Sequence, residues 1–272
     1  MSKCFYYIIA YDFNKNGVPI LLSPEAMPDT QISLTNGSDP TPILINQKDS
    51  NTAHVTLGVR PDPSGGTGDQ SDFCFDRSGQ IGEGVNHSFM TRNEALMGYR
   101  HIWLPSVGYA LAAWPLNANQ LHRVAVNSNN AFISKMGFCQ KTCRKIIFGS
   151  KAFGGFGLTS LADFQGVNQT CLMVQHIRLM DSVGKMLLIG YSWAQLFCGV
   201  SFQILGRPAV TLPHTPVGWF FHLRRFLANS EVTIELPAPI FRLPQLLRRG
   251  DYNLMDAFLS LNRTPAKLRA LN

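Results

Sequence analysis

Basic and aromatic side chains alternate in one short segment near the middle of the chain, and they are suited to chemistry with a polyanion. The basic members are Lys135, Lys141, Arg144, Lys145 and Lys151. The aromatic members are Phe132, Phe138, Phe148 and Phe153. Basic groups pair with phosphates and aromatic faces stack on bases, so the pattern predicts sequence-tolerant nucleic-acid binding. The alternative is that the rings belong to the core and the basic groups are merely solvated.

Paired carboxylates, which polymerases and nucleases use to hold two metal ions, are missing from the sequence. No two acidic residues are adjacent anywhere in the 272 residues, and the Tyr11-Asp12 pair lacks a second aspartate. Two-metal phosphoryl chemistry needs closely spaced carboxylates on both sides of the displacement. We therefore expect no catalytic residue, no metal site and no cofactor in this chain.

Other site signatures are weak or absent. Cys139 and Cys143 could begin a metal site if their segment were helical, but no second Cys/His pair at ligand spacing follows. The six cysteines have no repeated spacing, so reduced thiols are expected. The glycines at 79–84 and 154–157 do not precede Lys-Ser/Thr, and no Gly-x-Ser-x-Gly occurs, so neither a phosphate loop nor a hydrolase triad is predicted.

The net charge of +7 is unevenly distributed along the chain. Residues 1–125 hold 8 basic and 11 acidic residues, a net charge of −3, whereas residues 126–272 hold 16 and 6, a net charge of +10. Clustered Lys and Arg gain binding energy by releasing counterions from phosphates. The asymmetry indicates a polyanionic partner for the C-terminal half, although a solvated basic surface would have the same composition.

The elements that must position the basic cluster divide into a β-rich beginning and a helical remainder. Short apolar runs broken by turn residues occupy residues 4–59, and Asn16-Gly17 between two such runs predicts a β-hairpin. Residues 60–84 are rich in Pro, Gly and acidic groups, which predicts an exposed loop or boundary. The sequence therefore predicts an α+β fold: a small N-terminal antiparallel β region and then a mostly α-helical body.

Helix starts are marked by capping residues. Thr91 and Glu94 form a capping box, so a helix should run from there to about Trp103, where Pro105 would stop it. A second helix should begin near Asn117. A third should open at Ser160, with one apolar face made of Leu161, Phe164, Val167, Cys171, Val174 and Ile177.

Further helices are predicted towards the C-terminus. One begins near Pro216 and carries Arg224 and Arg225 near the edge of its apolar side, and two more span 251–261 and 264–271. Residues 186–206 contain no charged residue and would just span a bilayer. Their polar side chains and glycines favour a buried core helix instead. Residues 1–10 do not resemble a secretory signal, so an intracellular location, nuclear or cytoplasmic, is expected.

Short motifs in a fixed order give the chain a resemblance to a known family. It resembles the region after the catalytic motif in reverse transcriptases of non-LTR (LINE-like) retrotransposons. The first motifs are Leu57-Gly58-Val59, Thr91-Arg92-x-Glu94-Ala95, Leu104-Pro105 with Tyr109 and Pro115, Ala131-Phe132, and Gly154-Gly155-Phe156-Gly157-Leu158 with Leu161. The continuation comprises Gln175-His176-Ile177-Arg178, Gly184-Lys185, Trp193-Ala194-Gln195-Leu196 and Gly199-Val200-Ser201.

The resemblance implies a role for each part. Residues 1–60 would be a remnant of the palm, in which Leu57, Gly58 and Val59 form the hairpin that grips the primer. Residues 61–89 would be a flexible loop, 90–160 a thumb that contacts the sugar-phosphate backbone of an RNA/DNA duplex, and 161–272 a helical connector.

The departure from the family is the absence of the catalytic aspartates. The fingers and the rest of the palm would lie upstream in the same polyprotein and would hold the magnesium. We therefore expect a non-catalytic C-terminal portion of an RNA-directed DNA polymerase, with no membrane partner. Two alternatives stay open: part of an active reverse transcriptase whose palm is encoded upstream, and a membrane-associated or structural protein built around 186–206.

Overall fold

The chain folds into two compact units, residues 1–76 and residues 77–272. The computed structural model describes residues 5–15, 19–22, 26, 32–36, 39–50, 52–212, 215, 217–236 and 253–261. Strands lie in the first unit, and helices make up most of the second. This arrangement confirms the predicted α+β class.

The strands of the first unit are short. The three-stranded sheet has the order β1-β5-β4, with β1 at Phe5–Tyr7, β4 at Ile32–Asn36 and β5 at Asp39–Lys48. β4 runs antiparallel to β5, but β1 runs parallel to it, so the β region is mixed rather than wholly antiparallel. Sequence patterns do not give strand direction, because side chains alternate between the two faces of a sheet in parallel and antiparallel strands alike.

A second pair of strands forms the predicted hairpin. β2 (Tyr11–Phe13) pairs antiparallel with β3 (Pro19–Leu21), with Asp12 opposite Ile20. The Asn16-Gly17 dipeptide between them lies outside the described residues. The strand pairing confirms the hairpin that this dipeptide predicted.

The predicted flexible loop over residues 61–89 is wrong for most of its length. Helix α1 spans Gly68–His87, and the division between the two units falls within it at Asp76. Its buried positions recur at helical spacing and are Gln70, Ser71, Cys74, Ser78, Gly82 and Val85. Most of these side chains are small or polar, so the helix has no continuous apolar stripe that a sequence pattern would reveal.

The capping box at Thr91 is confirmed, but Pro105 does not stop the helix. α2 (Arg92–Gly98) continues through a π-helical turn at Tyr99–Trp103 into α3 (Leu104–Gly108), followed by a 3₁₀ turn at Tyr109–Ala112. A proline inside a regular helix crowds the carbonyl four residues earlier and lacks an N–H. The π turn directly before Pro105 widens the spiral and so accommodates the ring.

Helix α4 (Ala118–Lys135) begins at the predicted Asn117 cap and packs closely on α1. The Ser78 hydroxyl donates to the Val124 carbonyl oxygen at 2.6 Å and lies 2.7 Å from the Ser128 hydroxyl. The Trp103 indole N–H donates to the Ser78 hydroxyl at 3.0 Å. Tyr99, Trp103 and Phe132 pack together in the core of this region, ring against ring.

After the short helix α5 (Arg144–Phe148) and a 3₁₀ turn (Lys151–Phe153), α6 (Leu161–Leu179) begins at its predicted Ser160 cap. Its apolar face was predicted correctly at Leu161 but not at Val167 and Cys171. The buried residues are Leu161, Gln165, Gly166, Gln169 and Met173, while Val167 and Cys171 are exposed. Gln165 tolerates burial because its amide bonds both the N–H and the carbonyl oxygen of Leu116, at 2.9 and 3.1 Å.

Helix α7 (Ser182–Cys198) takes up only the first part of the uncharged stretch 186–206 and ends at Gly199, whose φ of 64° is left-handed. The chain then turns back over the helix, where the Gln195 amide donates to the carbonyl oxygens of Val200 and Phe202 at 3.0 and 2.8 Å. Among the described residues, no helix is both long and apolar enough to cross a membrane.

The last helices among the described residues are α8 (Trp219–Asn229) and α9 (Leu254–Ser260). Leu223 and Leu227 of α8 join a buried cluster with Tyr191 and Cys198 of α7, and Met255 and Leu259 pack against it. The predicted helix at 251–261 is therefore confirmed over most of its length. The predicted helix at 264–271 lies outside the described residues.

Candidate nucleic-acid interface

The predicted primer-grip residues form a two-residue turn in the first unit. Thr56 and Val59 exchange two backbone hydrogen bonds of 2.8 and 2.9 Å, and Leu57 and Gly58 occupy the turn between them. Both turn residues have left-handed φ angles, 50° and 83°. This is the conformation of tight hairpin turns, for which Asn-Gly is the favoured sequence.

Leu57 stands out within this turn because it is a large apolar residue where a polar one is expected. Its side chain is 86% exposed, so burial does not explain its presence. A left-handed conformation costs a residue with a Cβ about 1–2 kcal/mol. An exposed apolar side chain held at that cost is consistent with a contact made to something outside the chain.

The turn is followed by an anchor on helix α1. The Arg60 N–H donates to Gln70 Oε1 at 2.8 Å, and the Arg60 guanidinium lies 4.7 Å from the centre of the Phe73 ring. A hydrogen bond to a buried amide and a cation–π contact together fix the residue that leaves the turn. The residue that follows the turn is therefore fixed to helix α1 by these two contacts.

The five basic residues predicted to bind nucleic acid fall into two groups. Lys135 and Arg144 are half-buried and engaged with the protein: Lys135 donates to the Ser88 carbonyl oxygen at 2.6 Å, and Arg144 donates to Asn130 Oδ1 at 2.6 Å. Lys141, Lys145 and Lys151 are exposed. Only these three present their charge outward in the way the prediction requires.

The aromatic residues of the cluster are also divided. Phe132 is 1% exposed and belongs to the core, and Phe138 is half-buried with its ring edge-on to Phe156 at 4.8 Å. Phe148 is half-buried as well. Phe153 is 93% exposed and has both ring faces accessible for stacking. Phe132 is therefore a core residue, whereas Phe153 has the exposure that a ring needs to stack on a base.

Lys151 and Phe153 lie in a short 3₁₀ turn within a loop that backbone hydrogen bonds close. Gly155 and Gly157 donate backbone hydrogen bonds to Ser150 and Gly149 at 3.0 and 2.9 Å. A Cβ on Gly155 would overlap the Gly149 carbonyl oxygen, so only glycine allows the two chain segments to approach so closely. The glycine motif 154–157 thus closes the loop that carries Lys151 and the exposed ring of Phe153, two residues further along the chain.

Helix α8 resolves the orientation of its two arginines, which the sequence left open. Arg224 is buried and donates to the carbonyl oxygens of Ile204, Arg207 and Val210, and burial lowers its pKa. Arg225 is exposed and lines a cavity together with His222. The two neighbouring arginines carry the same charge, so charge does not show which one is buried. Their positions on the amphipathic helix do show it.

No metal site is formed by the described residues. They contain no group of three or more His, Cys, Asp or Glu side chains that could hold an ion. Cys139 and Cys143 are exposed in a non-helical segment rather than on one face of a helix. The five described cysteines form no disulfide with one another, and Cys4 lies outside the described residues.

Comparison with known proteins adds nothing to this geometry. No family model matches the chain, and neither a curated protein nor a solved structure matches it significantly. The assignment of a function therefore depends on the site itself and on the resemblance of its motifs.

Proposed function

We propose that this chain is the primer-grip, thumb and connector portion of a non-LTR-type reverse transcriptase, and that it contacts primer-template nucleic acid without polymerising it. The observation that carries the proposal is the exposure of four residues within the segment 141–153, namely Lys141, Lys145, Lys151 and Phe153, which are together called the lysine face. Three outward ammonium groups can pair with phosphates, and the exposed ring can stack on a base or sugar. The +10 charge of residues 126–272 favours the same kind of partner.

The Thr56–Val59 turn supports the same proposal from the first unit. In the family that the motifs resemble, a hairpin at this point of the sequence holds the primer end. Leu57 offers an exposed apolar side chain on an anchored tight turn, which suits a contact with the sugar edge of a nucleotide. The proposed contact uses packing rather than charge, so it should respond little to salt.

The direct test is a fluorescence-anisotropy titration of the whole chain with an RNA/DNA hybrid duplex. Affinity should fall steeply as salt rises from about 50 to 200 mM, because counterions are released from neutralised phosphates. The triple variant Lys141→Ala, Lys145→Ala, Lys151→Ala should bind more weakly. Its salt slope should be lower by about 2 to 3, since each lost phosphate contact removes about 0.9.

A matched control removes the same charge elsewhere. Arg77, Arg178 and Lys185 are exposed residues outside the proposed interface, and their triple alanine variant should keep the slope of the unmodified chain. Equal losses in the two triple variants would mean that only net charge matters, and the proposed face would then be wrong. Affinity that is insensitive to salt would exclude phosphate contacts altogether.

A second candidate is that the chain acts as part of an active polymerase with a separately supplied palm. The observation that favours it is the apolar surface of the first unit, where Phe13, Ile20, Ile43 and Leu44 are exposed on their strands. Such a surface suits packing against further sheet. An open reading frame with an aromatic-x-Asp-Asp motif directly upstream of the Met1 codon would support this candidate, and an upstream frame interrupted by stop codons would exclude it.

A further inference from the structure

A cavity of about 440 Å³ lies in the second unit between helices α4, α5, α6 and α8. Its apolar walls include Leu121, Val126, Phe148 and Phe226. Volumes of roughly 300–1,000 Å³ with mostly apolar walls and a few polar groups are typical of small-molecule sites. None of the exposed lysines Lys141, Lys145 and Lys151 lines the cavity, and the proposed function makes no use of it.

The charged residues of the cavity lining are basic on balance. Arg144 and Arg225 both line the cavity, and Asp163 is the carboxylate among its lining residues. Asp163 is already occupied as a helix-capping partner, because Ser160 donates to its Oδ2 at 2.7 Å. Two guanidinium groups against one engaged carboxylate leave a surplus of positive charge, which favours an anionic ligand.

Two residues of the cavity lining, Asn129 and Arg144, each carry a buried polar atom that lacks a partner within the described part of the chain. One Arg144 nitrogen, Nη2, donates to Asn130, while Nη1 is buried and finds no acceptor. Asn129 Oδ1 is buried and finds no donor. Buried polar groups are normally hydrogen-bonded, so each exception calls for an explanation, and a bound ligand is one. The missing partners are one acceptor for a guanidinium and one donor for an amide oxygen.

Histidine 222 contributes a neutral group to the cavity. Burial lowers its pKa, and the neighbouring Arg225 charge lowers it further. A histidine that stays uncharged at neutral pH can both donate and accept a hydrogen bond. His222 can therefore form hydrogen bonds with polar groups of a ligand in the cavity.

We propose that this cavity binds a nucleoside monophosphate. The phosphate would lie against Arg144 and Arg225, the ring would pack between Phe148, Phe226 and the aliphatic walls, and a base N–H would donate to Asn129 Oδ1. The class follows from the combination of an anion site, an apolar slot and a buried amide acceptor. The inference goes beyond the proposed function and stands without it.

The test is calorimetric titration of the whole chain with each of the four ribonucleoside monophosphates, with the matching nucleoside and inorganic phosphate as probes of the separate halves. At least one nucleotide should bind with a Kd below about 1 mM and about tenfold more tightly than either half. Binding of phosphate and nucleotide with equal affinity would overturn the proposal. So would the absence of heat from all four nucleotides.

Two variants separate the cavity from the rest of the molecule. Arg225→Met removes an exposed guanidinium from the rim and should weaken nucleotide binding by about tenfold or more, since a charged hydrogen bond is lost. Val126→Trp should abolish binding by filling the slot without changing charge. Arg178→Met, on the exposed surface of α6, is the control and should bind like the unmodified chain.

The same variants keep this inference distinct from the proposed function. Arg225→Met and Val126→Trp should leave the salt-dependent duplex affinity unchanged, whereas the triple lysine variant should leave nucleotide binding unchanged. Nucleotide binding that survives both cavity variants would overturn the assignment to this cavity, whatever the duplex titration shows. Circular dichroism spectra of the variants that match the unmodified chain would establish that the fold is retained.

Discussion

At the residue scale, substitution of Leu57 should raise stability and weaken duplex binding. Leu57→Asn places at the turn a residue that tolerates left-handed φ, and the exposed leucine contributes little by burial. We expect the variant to be more stable by about 1 kcal/mol in urea unfolding followed by circular dichroism. We also expect weaker duplex binding at high salt, where the apolar contact would dominate. Loss of stability would mean that the leucine side chain is structural, and unchanged binding would remove it from the interface.

Adjacent arginines on α8 provide a second test at this scale. Arg224→Met leaves three carbonyl oxygens of the 204–210 segment without their donor, so we expect a loss of about 3 kcal/mol in the free energy of unfolding. Arg225→Met, on the exposed side of the same helix, should change stability by less than about 0.5 kcal/mol. Equal effects of the two substitutions in urea titrations would contradict the buried role of Arg224.

Individual side chains were the least predictable level of the structure. The sequence grouped five basic residues by proximity in the chain, yet Lys135 and Arg144 bond inward and Lys141, Lys145 and Lys151 point outward. Long basic side chains can bury their stems and choose partners only after the helices have packed. The sequence places Arg225 near the edge of a helix, but it gives no sign of the cavity that Arg225 lines. The walls of this cavity come from four separate helices.

At the element scale, glycines test how closely the helices approach. A Cβ on Gly184 of α7 would overlap the backbone carbonyl of His176 in α6, whereas a Cβ on Gly79 of α1 would meet nothing within 4 Å. Gly79→Ala should therefore stabilise the chain by up to about 1 kcal/mol, through helix propensity alone. Gly184→Ala should lower the melting temperature in spite of the same propensity gain. Stabilisation by both substitutions would show that α6 and α7 can move apart without cost.

The turn between α6 and α7 should make part of the stability pH-dependent. Asp181 caps α7 by accepting from the Gly184 N–H at 2.8 Å, and its other oxygen lies 2.7 Å from His176 Nδ1. The Gly184 N–H, and then His176, lower the pKa of this carboxyl. A lowered folded-state pKa gives stability that is present above the ordinary Asp range and is lost as the pH falls through the folded pKa.

The matching measurement compares Asp181→Asn with the unmodified chain in urea at a series of pH values. The unmodified chain should be the more stable at neutral pH, and the difference should shrink towards zero as the pH falls below about 4. A difference that stays constant with pH would mean that the charge of Asp181 plays no part.

Elements were predicted best where the signal is local chemistry and worst where it depends on packing. The starts of α2, α4 and α6 followed from their caps at Thr91, Asn117 and Ser160, because capping needs only residues within one turn. Helix α1 was not predicted because its buried residues, such as Ser78 and Gly82, are small or polar. They contribute to stability only through their contacts with α4. The continuation through Pro105 depends on a π turn, which sequence periodicity does not reveal.

At the scale of the whole molecule, the α+β class followed from the shift between two patterns, apolar runs broken by turns and then helical spacing. Sheet direction and the apolar face of α6 did not follow. In particular, Gln165 and Gln169 are buried through hydrogen bonds to backbone groups that are distant in sequence. Charge asymmetry was visible in the sequence, and the structure adds which basic residues are exposed, among them Lys141, Lys145 and Lys151.

The strands of the first unit expose apolar side chains, and this surface leads to a prediction about solution behaviour. Phe13 is 68% and Leu44 59% exposed on their strands. The double variant Phe13→Thr, Leu44→Thr keeps residues that favour strands but removes two apolar contacts. It should remain monomeric, by light scattering, at concentrations where the unmodified chain associates, with an unchanged circular dichroism spectrum.

A control substitution distinguishes surface association from partial unfolding. Ile133→Thr alters a fully buried side chain of α4, so it should lower stability and increase association, the opposite of the surface variant. If the double variant associates as readily as the unmodified chain, the strand surface is not what drives association. The argument for a missing palm against those strands would then lose its physical support, whereas the lysine face and the cavity would be unaffected.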